Sequence, residues 1–477
     1  MKTLTLAFAS GLAATAAAET VHGVLVFSRH GDRTTKHFGA QVLTPLGAKQ
    51  VNQVGSAYRA RYLASDSPHR IKDISEFKYV PAQVYASAPD QSILLDTATS
   101  FLQGLYPPLG EIKPDVATSN LANGSSVEGP VNSYQYVTLH GINDDSPETI
   151  WIKGDDDCPV VAAASADFKT SAEFQSRSAA TRDFYRSLYP FLSDVYPSAD
   201  SLSYAKAYDI FDVINVEQIH NASSPARNVT EAQLFQLRTL ADSAEFGLNF
   251  NASQPARSLH AQTLAGAVLN HLNQTVSSVG HNPKFTLLAG SYDTFLAFFG
   301  LANLTSVSGD FYGLPAYAST MAFELFTPGA DFDLASLQVR YLFRNGTDGR
   351  LAAFPLFGSG KAELPWGEFV SGMQQRAIST AEGWCSACQS QAVFCAAYRD
   401  DGSASGVKVA SGEDTVSKGS WIGVLVVMCV AVVGNFVWAT MWLVNRRKEK
   451  RERRQTTAMA AVTKGVESVK SHDQDSV

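Results

Sequence analysis

The chain has 477 residues, 45% hydrophobic and 17% charged, enough to bury a large core in one big domain or two closely packed ones. Residues 19–444 carry 28 basic against 40 acidic side chains, a balance of −12. That balance argues against nucleic acid as a partner.

The first element is MKTLTLAFASGLAATAAA, Met1 to Ala18. One lysine, an apolar run and small residues in an A-x-A pattern predict a secretory signal peptide. VHGVLVFS, Val21 to Ser28, is short, apolar and β-branched, the pattern of a buried parallel strand. The polar stretch RHGDRTT follows it directly. From Thr44 to Ala64 the apolar spacing is helical, with Thr44 as N-cap and Pro45 at the first helical position. AQVYASAP predicts a second strand, and ILLDTATSFLQGL a helix that stops before Pro107 and Pro108.

Residues 109–254 are richer in polar, loop-like and helical segments, as expected of a mostly helical cap inserted into a core of residues 19–108 and 255–400. HAQTLAGAVLNHLNQTV then predicts a helix, KFTLLAG a strand and DTFLAFFGLANL another helix. Strands alternating with helices point to an α/β fold, a three-layer sandwich with a mainly parallel central sheet. Ligands bind such folds at the carboxyl ends of the strands. Both FSRHGDR and GSYDT stand directly after predicted strands.

Asp401 to Ser420 is rich in glycine and serine and predicts a flexible stalk. Trp421 to Val444 is long and apolar enough for a single C-terminal transmembrane helix. The RRKEKRERR after it places the tail, 445–477, in the cytosol by the positive-inside rule. The expectation is a single-pass type I membrane protein of the secretory pathway or cell surface, its bulk extracellular or lumenal. Seven N-x-[ST] sequons, at Asn123, Asn221, Asn228, Asn251, Asn273, Asn303 and Asn345, all lie before the span, which agrees with that topology and predicts glycosylation. Cys158, Cys385, Cys388 and Cys395 would share the oxidising side and form two disulfides, in one of three connectivities.

The chemistry concentrates in Arg29, His30, Gly31, Asp32 and Arg33. Guanidinium forks match the fanned-out oxygens of a phosphate monoester, and a neutral imidazole between them can attack phosphorus and carry it as phosphohistidine. The plain alternative is a strand-end turn with solvated side chains. RHGDRT resembles the signature of the histidine acid phosphatases, the branch that includes acid phosphatases and phytases. FGAQVLTPLGAKQVNQVGSAYRARY, SFLQGLYPP, HAQTLAGAVLNHLN and LLAGSYDTFLAFFGL are similar to its later blocks, in the right order. The resemblance implies an α/β core, a helical cap and a phosphate pocket at their junction.

Residue by residue, it implies His30 as nucleophile, Arg29 and Arg33 as phosphate ligands, and Asp293 as the acid that protonates the leaving oxygen. No metal site is visible in the sequence, and the chemistry expected needs no metal or other cofactor. Two departures stand out. The family places a histidine before that aspartate, where this chain has Tyr292, which can donate one hydrogen bond but brings no positive charge. A further family arginine falls at Ile93 or Ser92, and no Lys, Arg or His occurs from Tyr79 to Ile112. Two lost cationic ligands, at about 1.5 to 3 kcal/mol each, would cost on the order of a hundred-fold to more than ten-thousand-fold in rate. Lys36 and His37 are the local candidates to fill the gap.

Three functions follow from this pattern. One is a membrane-anchored acid phosphatase acting on phosphate monoesters outside the cytosol. Another is a relative that binds a small anionic or phosphorylated ligand without turnover, and the third is a surface glycoprotein with a structural role.

Overall fold

The computed structural model describes residues 19–399. The predicted signal peptide, the stalk, the span at 421–444 and the tail lie outside the described residues. Among the described residues no helix is long and apolar enough to cross a membrane.

The strands, in chain order, are β1 (Thr20–Arg29), β2 (Val84–Pro89), the short hairpin β3 (Thr118–Asn120) and β4 (Ser126–Glu128), and β5 (His140–Ile142). They continue with β6 (Phe285–Gly290), β7 (Thr320–Thr327), β8 (Gln338–Arg344), β9 (Ala352–Ala353) and β10 (Glu363–Pro365). The central sheet runs β10-β8-β7-β1-β6-β2-β5, with β9 paired to β8. β1, β6, β2 and β5 pair in parallel, whereas β7, β8, β9 and β10 pair antiparallel. The sheet is therefore mixed. Its parallel part carries the two polar stretches singled out in the sequence. The antiparallel part arises because the connection 328–337 between β7 and β8 holds no crossover helix, and a parallel neighbour would need one. β5 comes from the stretch expected as cap, yet it closes the edge of the core sheet.

Period-two alternation along β1 explains the layers. Val24 and Val26 face one apolar cluster with Val51 and Tyr58 of the helix Pro45–Tyr62 and Phe101 of the helix Ser92–Leu105. Leu25 and Phe27 face the other, with Leu264 of the helix Leu259–Ser277 and Phe295 of the helix Tyr292–Leu301. Helices thus cover both faces of the sheet. Phe27 is fully buried, and such burial contributes about 1.5 to 3 kcal/mol. The helices Pro159–Thr170, Ala172–Ser187, Ala207–His220 and Glu231–Asn249 build a separate apolar cluster around Phe174, Tyr185, Ile210 and Leu237.

The helix Pro45–Tyr62 begins as its sequence predicts. Thr44 Oγ1 accepts from the Gly47 amide at 3.0 Å, with Pro45 in the first turn. This start presses directly on the Arg29–Arg33 loop. A Cβ on Gly31 would lie 2.2 Å from the Gly47 carbonyl oxygen, and one on Gly47 would lie 2.0 Å from that of Asp32. Only glycine at both positions permits that approach. The four described cysteines pair as Cys158–Cys388 and Cys385–Cys395. The first bridge ties the start of the helix Pro159–Thr170 to the end of the helix Ala381–Cys388.

Candidate active site

β1 and β6 are parallel neighbours with Arg29 opposite Gly290. Their carboxyl ends therefore deliver Arg29, His30 and Arg33 beside Tyr292 and Asp293, two stretches more than 250 residues apart in sequence. All five predicted site residues converge there.

His30 is buried, and its Nδ1 lies 2.8 Å from the Gly31 carbonyl oxygen. That acceptor fixes the proton on Nδ1 and leaves Nε2 with its lone pair, the form a nucleophile needs. Burial first, then the charges of Arg29 and Arg33, hold its pKa well below the usual histidine range, with Lys36 adding to the effect. The imidazole therefore stays neutral into acidic solution.

Both arginines are buried to within a few per cent of their surface. Arg29 donates to the Pro315 carbonyl, and its guanidinium lies between the rings of Tyr292, at 5.2 Å, and Tyr317, at 4.9 Å. Arg33 pairs with Asp212 at 2.9 Å and donates to the Tyr208 hydroxyl at 2.9 Å. Each arginine nevertheless keeps a buried Nε–H with no partner. Buried donors are almost always satisfied. Two unsatisfied cationic donors, on residues whose charges both act on His30, suit an anion.

Asp293 is the second residue of the helix Tyr292–Leu301, with Oδ1 accepting from the Thr294 amide at 2.8 Å. The N-cap of that helix is Ser291. His260 Nε2 lies 3.3 Å from the Asp293 carbonyl oxygen. Asp155 is close by, its carboxyl pushed up by burial and then by the charge of Asp293. The adjacent Lys153 pairs with Asp156.

Tyr292 donates its hydroxyl hydrogen to Glu245 Oε2 at 2.8 Å. Of the two candidate positions for the missing arginine, Ile93 is buried in an apolar cluster and Ser92 is exposed, and neither supplies a charge. Lys36 extends over the rings of Tyr208 and Tyr292, at 5.9 and 5.8 Å. His37 instead lies 3.0 Å from Asp209 Oδ2.

Sequence reasoning missed Asp212, Tyr208, Tyr317 and Glu245. Asp212 is only 2% exposed and gathers Arg33, the Thr35 hydroxyl at 2.9 Å and the Lys36 amide at 2.8 Å. A buried aspartate in the helical pattern AYDIFDVINVEQIH was the one available signal, since charges are rarely buried unpaired.

Residues 35–344 match the Histidine phosphatase superfamily (branch 2). The chain belongs to that family. The match begins just after Arg33, so the Arg29–Arg33 loop is placed by its geometry and motif. The lysosomal acid phosphatase of Xenopus laevis is 23% identical over 382 residues, 77% of this chain and 78% of that one. Among solved structures, the Klebsiella sp ASR1 phytase aligns with a TM-score of 0.51 at 15% identity, covering 76% of this chain and 96% of its own. The phytase from Citrobacter braakii aligns with a TM-score of 0.49 at 13% identity, covering 76% and 99%.

Proposed function

We infer that the chain hydrolyses phosphate monoesters through a phosphohistidine on His30. The observation that carries this reading is that Arg29 and Arg33 each keep an orphan buried Nε–H while the charges of both act on the buried imidazole of His30. His30 Nε2 attacks phosphorus as the P–O bond to the alcohol breaks, and Asp293, as the carboxylic acid, gives its proton to the leaving oxygen. The Asp293 carboxylate then takes a proton from water, whose oxygen displaces the imidazole and releases phosphate. Arg29 and Arg33 hold the non-bridging oxygens throughout. Lys36, whose charge already acts on His30, is the third cation at the site.

The reading includes acidic working conditions, because the acid must carry its proton while the nucleophile stays neutral. It also includes a place outside the cytosol, as a type I membrane protein anchored through 421–444. Six of the seven sequon asparagines are exposed and Asn251 is partly so, and all four described cysteines are paired, which supports a glycosylated, oxidising setting.

Two observations favour binding of an anionic ligand without turnover. Ile93 is apolar, and Arg33 already shares its charge with Asp212. The full chain, assayed on an aryl phosphate across acidic pH beside His30→Ala, separates the two. Turnover that vanishes in the variant supports hydrolysis, and equal background rates in both proteins refute it.

A further inference from the structure

Tyr292 occupies the family's histidine position, and its hydroxyl is bonded to a carboxylate. Its ring borders the anion site, with Arg29 over one part of it and Lys36 within 5.8 Å. Its hydroxyl, however, gives its single hydrogen to Glu245 on the helix Glu231–Asn249. A phenol has one hydrogen to donate and lone pairs to accept with. While Glu245 takes that hydrogen, a phosphoryl oxygen cannot have it.

We propose that Glu245 is a positioning residue for the phosphate site: protonated, it donates to the Tyr292 oxygen and so turns the Tyr292 hydrogen toward a phosphoryl oxygen held by Arg29. Ionised, it withdraws that hydrogen. The chain would thereby recover, in acid, the donor that a histidine would otherwise supply, without adding a charge. The inference rests on the phosphate-monoester reading of the site.

The surroundings place the switch in a useful range. Tyr292 and Asp293 face Glu245 from the helix Tyr292–Leu301, Lys36 from the turn after the Arg29–Arg33 loop, and Lys169 from the helix Pro159–Thr170. Tyr204 lies near it from the turn Tyr204–Lys206. Burial is the largest influence and Asp293 adds to it, while the Tyr292 hydrogen bond, Lys36 and Lys169 oppose it. The balance leaves the carboxyl pushed up to about 7, so protonation dominates in clearly acidic solution and ionisation in clearly alkaline solution.

The test is sulfate binding by calorimetry, from well below to well above pH 7, because sulfate stays a dianion across that range. Wild-type affinity should fall about tenfold as pH rises through the switch, the worth of one hydrogen bond to an anion. Glu245→Gln, with nearly unchanged shape, should bind with no such slope, and Tyr292→Phe should bind weakly at every pH, also without it. A Glu245→Gln slope equal to wild type overturns the proposal. So does a slope retained in Tyr292→Phe, which would assign the effect to the Glu245 charge acting through space. Sulfate bound with these slopes but no ester hydrolysed supports the positioning role while ending the hydrolytic reading. Wild-type protein that binds no sulfate, with Arg29→Ala indistinguishable from it, overturns both.

Discussion

Asp212 holds Arg33 at 2.9 Å across the boundary between the helix Ala207–His220 and the loop that follows β1, and both side chains are almost wholly buried. The same carboxylate accepts from Thr35 and from the Lys36 amide. One residue of the helical insert therefore sets the shape of the loop that carries His30. A second tie joins the same two elements, His220 Nε2 lying 2.6 Å from Asp32 Oδ2.

Removing that carboxylate leaves Arg33 buried without its counter-charge. Asp212→Ala should therefore lower stability by roughly 3 to 5 kcal/mol, read from urea denaturation. Asp212→Asn keeps the hydrogen-bonding shape, so it should lose less and should bind sulfate more tightly than wild type, since Arg33 no longer shares its charge. Equal stability of Asp212→Ala and wild type would contradict the role given to this pair.

The acid role of Asp293 predicts a dependence on the leaving group. Asp293→Asn should lose on the order of a hundred-fold to ten-thousand-fold in kcat on an alkyl phosphate, whose alkoxide needs a proton. On a nitrophenyl ester, whose phenolate leaves readily, the loss should be much smaller. A uniform loss across both esters would show that Asp293 only shapes the site. In the same variant the Asp155 carboxyl, pushed up in part by the Asp293 charge, should move back toward the ordinary carboxylate range.

Stability should also fall in acid through His22. Burial, followed by the charges of Lys72 and Lys284, lowers this imidazole to about 4, while an unfolded chain titrates near 6.5. Below about 6.5 the unfolded state takes up the proton first, so the contribution present at neutral pH declines as pH falls toward about 4. His22 also lies 2.8 Å from the Thr327 hydroxyl, a contact that His22→Gln can keep. That variant should show a flatter stability profile between about pH 6.5 and about 4 by thermal melting, and an unchanged profile would refute the assignment.

Much of this was legible in the sequence wherever a pattern is local. The Thr44 cap, Pro45, the strand at Val21–Ser28 and the helix after Gly290 each carry their own signal, and the structure forms them close to the expected bounds. The family motif names Arg29, His30, Arg33 and Asp293, and the parallel pairing of β1 with β6 explains why the stretches that carry them lie side by side. Asp212 and Glu245 were not legible. Their partners Arg33 and Tyr292 are 179 and 47 residues away in the chain, and no periodicity links a helix residue to a contact made only on folding. The antiparallel half of the sheet was missed for a similar reason, since β7 and β8 are buried almost throughout and lack the alternation that marks a half-exposed strand.

The central claim is that His30 Nε2 takes the phosphoryl group. Rapid quenching of the wild-type protein during turnover of a phosphate monoester, followed by mass spectrometry of the peptide that contains His30, tests it directly. An acid-labile, base-stable phosphate on His30 that accumulates during turnover, and is absent in His30→Ala, is the predicted result. Sustained hydrolysis by His30→Ala at the wild-type rate, with no phosphate on that peptide, would contradict the account.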